Sequence, residues 1–277
     1  MTKRRSFDKD YLQQEFDKLA SKTNQTVTMF LIGGGGLAFY GLKDATKDID
    51  IILGDVGELK TLTTALKKMS YKNPDSTVII RAYSKMQADE ILENAEGFRW
   101  DIFVRKVCNA LTFSDEMKSR AKQLWTKGKL KIQLASKEDI FLFKGITERE
   151  ADLDDMRLLA ESGLDWKTIY QECRSQSASS GVLWEDALYQ NLLDLREKHY
   201  IESPIEKLLR TAGERKLIEI TLIGEIQKGN NTVKSIAQRI KETQSFVRTE
   251  LNRLTNKGLI TVNKSHRPHK FYLNKNP

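Results

Sequence analysis

The sequence predicts an α+β chain with a mixed-sheet domain, a helical middle segment, and a C-terminal unit of three helices followed by a β-hairpin. Strand-like alternation and helical spacing take turns along the first 150 residues, the signature of a sheet layered with helices. Leucine and aromatic stripes at helical spacing then fill 151–204. Residues 205–277 carry 15 Lys+Arg against 6 Asp+Glu, leaving 31 against 32 for the rest of the chain. The overall charge of +8 is therefore concentrated at one end, where a polyanion would sit.

A chain of 277 residues with 39% hydrophobic content exceeds what one core usually fills. The reading divides it into 1–150, 151–204 and 205–277, with Ser203-Pro204 marking the last boundary. No apolar run reaches the length of a bilayer span, and the basic start lacks the apolar stretch of a signal peptide. A cytoplasmic protein without a membrane partner is expected. Cys108 and Cys173 are far apart and lack metal-ligand spacing, which fits a reducing compartment.

Phe7, Tyr11, Leu12, Phe16 and Leu19 recur at helical spacing, so a helix is expected over 7–22. Val27–Ile32 reads as the first strand. It runs into four glycines, Gly33 to Gly36, then a helical stretch, then an alternating strand over 46–53. A helix over 56–69, a strand over Thr77–Ala82, an aromatic-rich strand over 97–105 and a strand over 130–134 follow.

This order has chemical consequences. Glycines after a strand let the backbone approach a phosphate closely. Asp48 and Asp50, two apart on a strand, point to one face and repel each other unless a cation lies between them. Oxygen ligands suit Mg²⁺ (or Mn²⁺), which is commonly shared with substrate phosphates.

Together, Ile32-Gly33-Gly34 and the later Asp48-Ile49-Asp50-Ile51 resemble the signature of the nucleotidyltransferase superfamily that includes polymerase beta. The resemblance implies a third carboxylate on a later strand, and Asp101 is the candidate. It implies that Asp48, Asp50 and Asp101 are the catalytic metal ligands. It also implies that Gly33, Gly34, Thr46 and Lys144 bind the nucleoside triphosphate. Three acids could then serve the two-metal arrangement used for in-line nucleotidyl transfer.

Ser136-Lys-Glu-Asp139 is a capping box opening a helix that carries Lys144. Arg149, Asp152 and Asp155 follow, the two acids three apart on a helix. This frame resembles the segment after the catalytic sheet in stand-alone nucleotidyltransferases, including toxin components of toxin/antitoxin pairs. Such relatives often place an arginine directly before the first acid, where this chain has Ala151. Helices are expected around Trp166 and Leu188, with Ser175 to Gly181 as their loop.

Near the C-terminus, helices are expected over 217–226, over 233–240 and from about Thr243, with Phe246, Val247, Leu251 and Leu254 pointing inward. A hairpin of 259–262 and 270–273 follows. The order resembles a winged-helix DNA-binding domain. In that geometry the third helix enters the major groove, presenting Gln244, Ser245, Arg248, Thr249, Asn252 and Arg253 outward. Arg267 and Lys270 would lie on the wing. His266 and His269 read as a solvated loop.

Two function classes follow. One is an enzyme transferring a nucleotide from a triphosphate to a tRNA or protein acceptor. The other is a DNA-binding regulator whose nucleotidyltransferase-like domain senses a nucleotide or has lost turnover. The intact Asp-x-Asp favours the first; Ala151 and the DNA module favour the second. A homodimer on double-stranded DNA is compatible with either.

Overall fold

The computed structural model describes residues 5–74, 87–146, 150–265 and 267–274, with the backbone alone at 150 and 151. The expected strand over Thr77–Ala82 and the residues Arg149 and His266 lie outside the described residues. The chain forms two compact units, Met1–Glu206 and Lys207–Pro277.

In the first unit, β1 (Phe7–Asp8) leads into α1 (Lys9–Lys22). Asp8 caps that helix by accepting a hydrogen bond from the Tyr11 N–H, and α1 buries Leu12, Phe16 and Leu19. Burying such side chains contributes about 1.5–3 kcal/mol each, so packing rather than propensity holds the helix. β2 (Val27–Ile32) forms with the bounds read from sequence. The four glycines, read as a turn ahead of a helix, are themselves the first turn of that helix, α2 (Gly33–Phe39). Short β3 (Ala45–Thr46), β4 (Asp48–Leu53), α3 (Val56–Lys68), β5 (Glu90–Glu93) and β6 (Arg99–Val104) follow. After a small ladder of β7 (Lys106–Val107) and β8 (Leu111–Thr112) come α4 (Asp115–Arg120), β9 (Lys122–Lys127) and β10 (Leu130–Leu134).

Six of these strands make one sheet in the order β5-β6-β4-β2-β10-β9. It is mixed, as predicted: β4/β6 and β2/β10 run parallel, the other pairs antiparallel. Successive strand residues point to opposite faces. One face buries Met29, Leu31, Ile51, Trp100 and Ile132 in a core shared with α1 and α3. The other face takes the alternate residues, and so receives Asp48, Asp50, Arg99 and Asp101.

Four helices complete the unit: α5 (Lys137–Gly145), α6 (Glu150–Glu161), α7 (Trp166–Ser180) and α8 (Trp184–His199). Ser136 caps α5 through the Asp139 N–H. The expected loop over Ser175 to Gly181 is corrected, because Ser175–Ser180 belong to α7. That turn reads as polar because its inward face is polar. Gln176 bonds both the N–H and the carbonyl of Thr112, and Ser177 donates to Glu185.

The second unit begins on α9 (Glu206–Gln227), twice the length expected from sequence, and continues through α10 (Val233–Ile240) and α11 (Gln244–Asn256). A hairpin of β11 (Ile260–Asn263) and β12 (Lys270–Leu273) ends it. Leu222, Ile236, Val247, Leu251, Leu254 and Phe271 form its core. Among the described residues, no helix is long and apolar enough to cross a membrane.

Candidate active site and nucleic-acid face

Strand register brings the acids together. β2 and β4 pair Ile32 with Asp50, while β4 and β6 pair Asp50 with Asp101 and Asp48 with Arg99. Registered neighbours project to the same side of a sheet, so all three predicted carboxylates share one face at one end of the sheet. Asp101 is fully buried and the Asp48 side chain is 26% exposed.

The glycines fit against this row. Gly33 has φ +58°, and a Cβ there would lie 1.9 Å from Asp50 Oδ2. A Cβ on Gly34 would lie 2.7 Å from Thr46 Oγ1. Both positions are therefore glycine because Asp50 and Thr46 occupy the space a side chain would need. Thr46 in turn donates to the Asp48 carbonyl at 2.9 Å.

Arg99 is the residue that sequence reasoning missed. Its guanidinium is 2% exposed; Nε donates to Asp101 Oδ1 at 2.9 Å and Nη2 to Asp48 Oδ2 at 2.7 Å. An arginine two residues before the acid on one strand was the available signal, since the alternation that places Asp101 places Arg99 beside it.

The second predicted group is also assembled. Asp152 and Asp155 share a face of α6, and the buried Lys144 ammonium lies 2.9 Å from Asp152 Oδ1 and 2.7 Å from Asp155 Oδ2. Burial works against the ammonium, but Asp152 and Asp155 outweigh it and hold its pKa above the ordinary lysine value. Lys43, unpredicted, stands 2.5 Å from Asp155 Oδ1. Because α2 packs on α5 and α6, the glycine turn and this ion cluster belong to one neighbourhood.

A family model described as nucleotidyltransferase of unknown function (DUF6036) matches residues 11–203. The chain belongs to this nucleotidyltransferase family. The match covers the sheet, the acid row and helices α5 to α8. Among solved structures, the lincomycin-bound lincosamide antibiotic adenylyltransferase LnuA is similar over 56% of this chain and 98% of its own, at 20% identity and a TM-score of 0.39. No curated protein matches the sequence.

Downstream of the nucleotidyltransferase unit, α11 and the hairpin flank a groove of about 860 Å³. Gln244, Arg248, Asn252 and Arg267 line it, joined by Lys234 and Lys264, which sequence reasoning did not single out. Ser245, Thr249 and Lys270 are exposed but lie outside its lining. Arg253 departs from the expected outward position. It is half-buried, with Nε 2.7 Å from Glu250 and Nη1 3.6 Å from Glu219. Glu219, nearly buried on α9, draws in Arg253, Lys216 and Lys257, because a buried carboxylate costs several kcal/mol unless it is paired.

Proposed function

We propose that the chain is a Mg²⁺-dependent (or Mn²⁺-dependent) nucleotidyltransferase that moves a nucleoside monophosphate from a triphosphate to an RNA or protein hydroxyl. Its C-terminal unit is a winged helix that binds double-stranded DNA. The observation that carries the catalytic reading is the register that sets Asp48, Asp50 and Asp101 on one face beside Gly33. Three carboxylates on adjacent strands are a hard-oxygen donor set of the kind Mg²⁺ takes, so residue type and strand placement suit the metal. Bound there, the metal would offset triphosphate charge and favour the ionised acceptor hydroxyl. In the transfer, the acceptor oxygen bonds to the α-phosphorus and the bond to pyrophosphate breaks. Asp48, Asp50 and Asp101 would hold the metal, Gly33 and Gly34 keep the backbone close to them, and Arg99 holds the carboxylates of Asp48 and Asp101 until the metal enters.

A second reading, a DNA-binding regulator that senses nucleotide without turnover, is favoured by one observation. Lys144, expected at the phosphates, is neutralised between Asp152 and Asp155. Incubation with each labelled triphosphate, Mg²⁺ and total RNA or protein separates the two. The enzyme reading expects label transfer that disappears in the Asp48→Asn, Asp50→Asn double variant. Equal labelling by that variant sinks it, and triphosphate binding without transfer supports the sensor.

A further inference from the structure

Two of the three acids that would hold a metal are already engaged by a cation that the chain carries. The Arg99 fork reaches both oxygens of Asp101, at 2.9 and 3.3 Å, and Asp48 Oδ2 at 2.7 Å. Its side chain and that of Asp101 are 2% and 0% exposed. Among the described residues, no three acidic, histidine or cysteine side chains stand close enough to hold a metal ion. Asp101 and Asp50 are nevertheless registered neighbours, so backbone placement alone does not keep the acids apart. Asp48 and Asp101 are directed at the guanidinium.

We propose that Arg99 is an internal counter-ion that competes with the divalent metal for Asp48 and Asp101. Metal entry exchanges the guanidinium away from at least one carboxylate. The exchange begins at Asp48, whose side chain is 26% exposed, whereas Asp101 is enclosed. A guanidinium has a permanent charge and a planar fork matched to a carboxylate, so the competition persists across the working pH range. Arg99 therefore acts as a positioning residue with two effects. It prevents repulsion among the acids when no metal is bound, and it keeps affinity for metal alone low. A triphosphate brings negative charge of its own and offers the displaced guanidinium a new anionic partner, so metal binds most tightly together with nucleotide. This inference rests on the reading of Asp48, Asp50 and Asp101 as metal ligands.

The test is Mn²⁺ binding to the full chain without nucleotide, followed by the paramagnetic signal of free Mn²⁺, in wild type, Arg99→Gln and Arg99→Lys. Removing one positive charge within a few ångströms of the ion should tighten Mn²⁺ binding to Arg99→Gln by at least about tenfold. Arg99→Lys, which keeps the charge without the fork, should fall between. Equal or weaker binding by Arg99→Gln overturns the competition and leaves the metal site standing. Absence of binding in both wild type and Arg99→Gln overturns the metal site itself. If Arg99→Gln does not fold, the Arg99 Nε–H resonance of wild type decides the matter during Mg²⁺ titration. It should move in step with metal binding; a resonance unchanged at saturating Mg²⁺ overturns the proposal.

Discussion

Two arginines in the first unit each bridge a pair of carboxylates, with different surroundings and different consequences. Arg120, at the end of α4, donates to Asp139 of α5 at 2.7 Å and to Glu172 of α7 at 2.6 Å, tying three helices together. The remaining oxygen capacity of those acids is met by neutral donors: the Ser136 hydroxyl on Asp139, and the Ser114 hydroxyl and Gln176 amide on Glu172. Arg99 bridges Asp48 and Asp101 on two adjacent strands. There a third carboxylate, Asp50, stands in register beside Asp101 where the Arg120 cluster has hydroxyls and an amide. The first cluster is closed by its neutral donors and acts as a staple. The second lies in strand register with a further acid of the proposed metal site.

The largest effect expected from this contrast is on Arg120. Arg120→Met leaves two buried acids without their shared partner and should cost about 3–5 kcal/mol of first-unit stability. Urea unfolding in the presence and absence of Mn²⁺ checks it; recovery on adding Mn²⁺ would show that this cluster is a metal site as well. Gly33→Ala should cost about 1–3 kcal/mol, since a left-handed backbone and a contact with Asp50 are both imposed on the new methyl group. It should also weaken triphosphate binding, whereas alanine at Gly163, also at positive φ but facing open space, should affect stability alone.

The second unit offers a parallel contrast between Arg248, lining the groove, and Arg253, held by Glu219 and Glu250. Arg253→Ala should lower thermal stability by about 1 kcal/mol and leave the salt dependence of DNA binding intact. Arg248→Ala should leave stability within about 0.5 kcal/mol and reduce the slope of log affinity against log salt by about 0.9. The reverse assignment would move the DNA face to the α9 side of α11. The smallest effect expected is on pH dependence. Burial raises the Glu219 pKa, but Lys257 and Lys216 outweigh it and hold it below the ordinary value of 4.5. The unfolded chain then takes up the proton first, so this contribution is complete above about pH 4.5 and is lost as pH falls through the lower folded value. Glu219→Gln should flatten that acid limb in a thermal titration of the second unit.

What was legible in the sequence was set by local period and by residue chemistry. Leu130–Leu134 alternates cleanly and Val27–Ile32 is an apolar run closed by glycines, so their bounds were readable. Asp48 and Asp50 were readable as a pair because a strand puts them on one face. Their registration against Asp101 is a non-local pairing that no single segment contains. Helix α7 was shortened in the reading because its buried face carries Glu172, Gln176 and Ser177, whose partners Arg120, Thr112 and Glu185 lie elsewhere in the chain. Arg253 was misplaced for the same reason: helical periodicity gives its side of α11, but not the acid on α9 that captures it.

The central claim, that the Asp48, Asp50 and Asp101 end of the sheet holds a metal and a triphosphate, is most directly tested by ligand-dependent stability. Thermal unfolding of the full chain would be followed with Mg²⁺ alone, with a non-hydrolysable triphosphate alone, and with both. A ligand that binds only the folded state stabilises it by RT ln(1 + [L]/Kd), about 2.7 kcal/mol at a hundredfold excess over Kd. The account predicts that Mg²⁺ and triphosphate together raise the first unit's midpoint by more than the two separate shifts combined. It also predicts that this excess vanishes in the Asp48→Asn, Asp50→Asn variant and survives in Arg248→Ala. A midpoint unmoved by the pair at millimolar concentrations, or moved equally in the double variant, would contradict it.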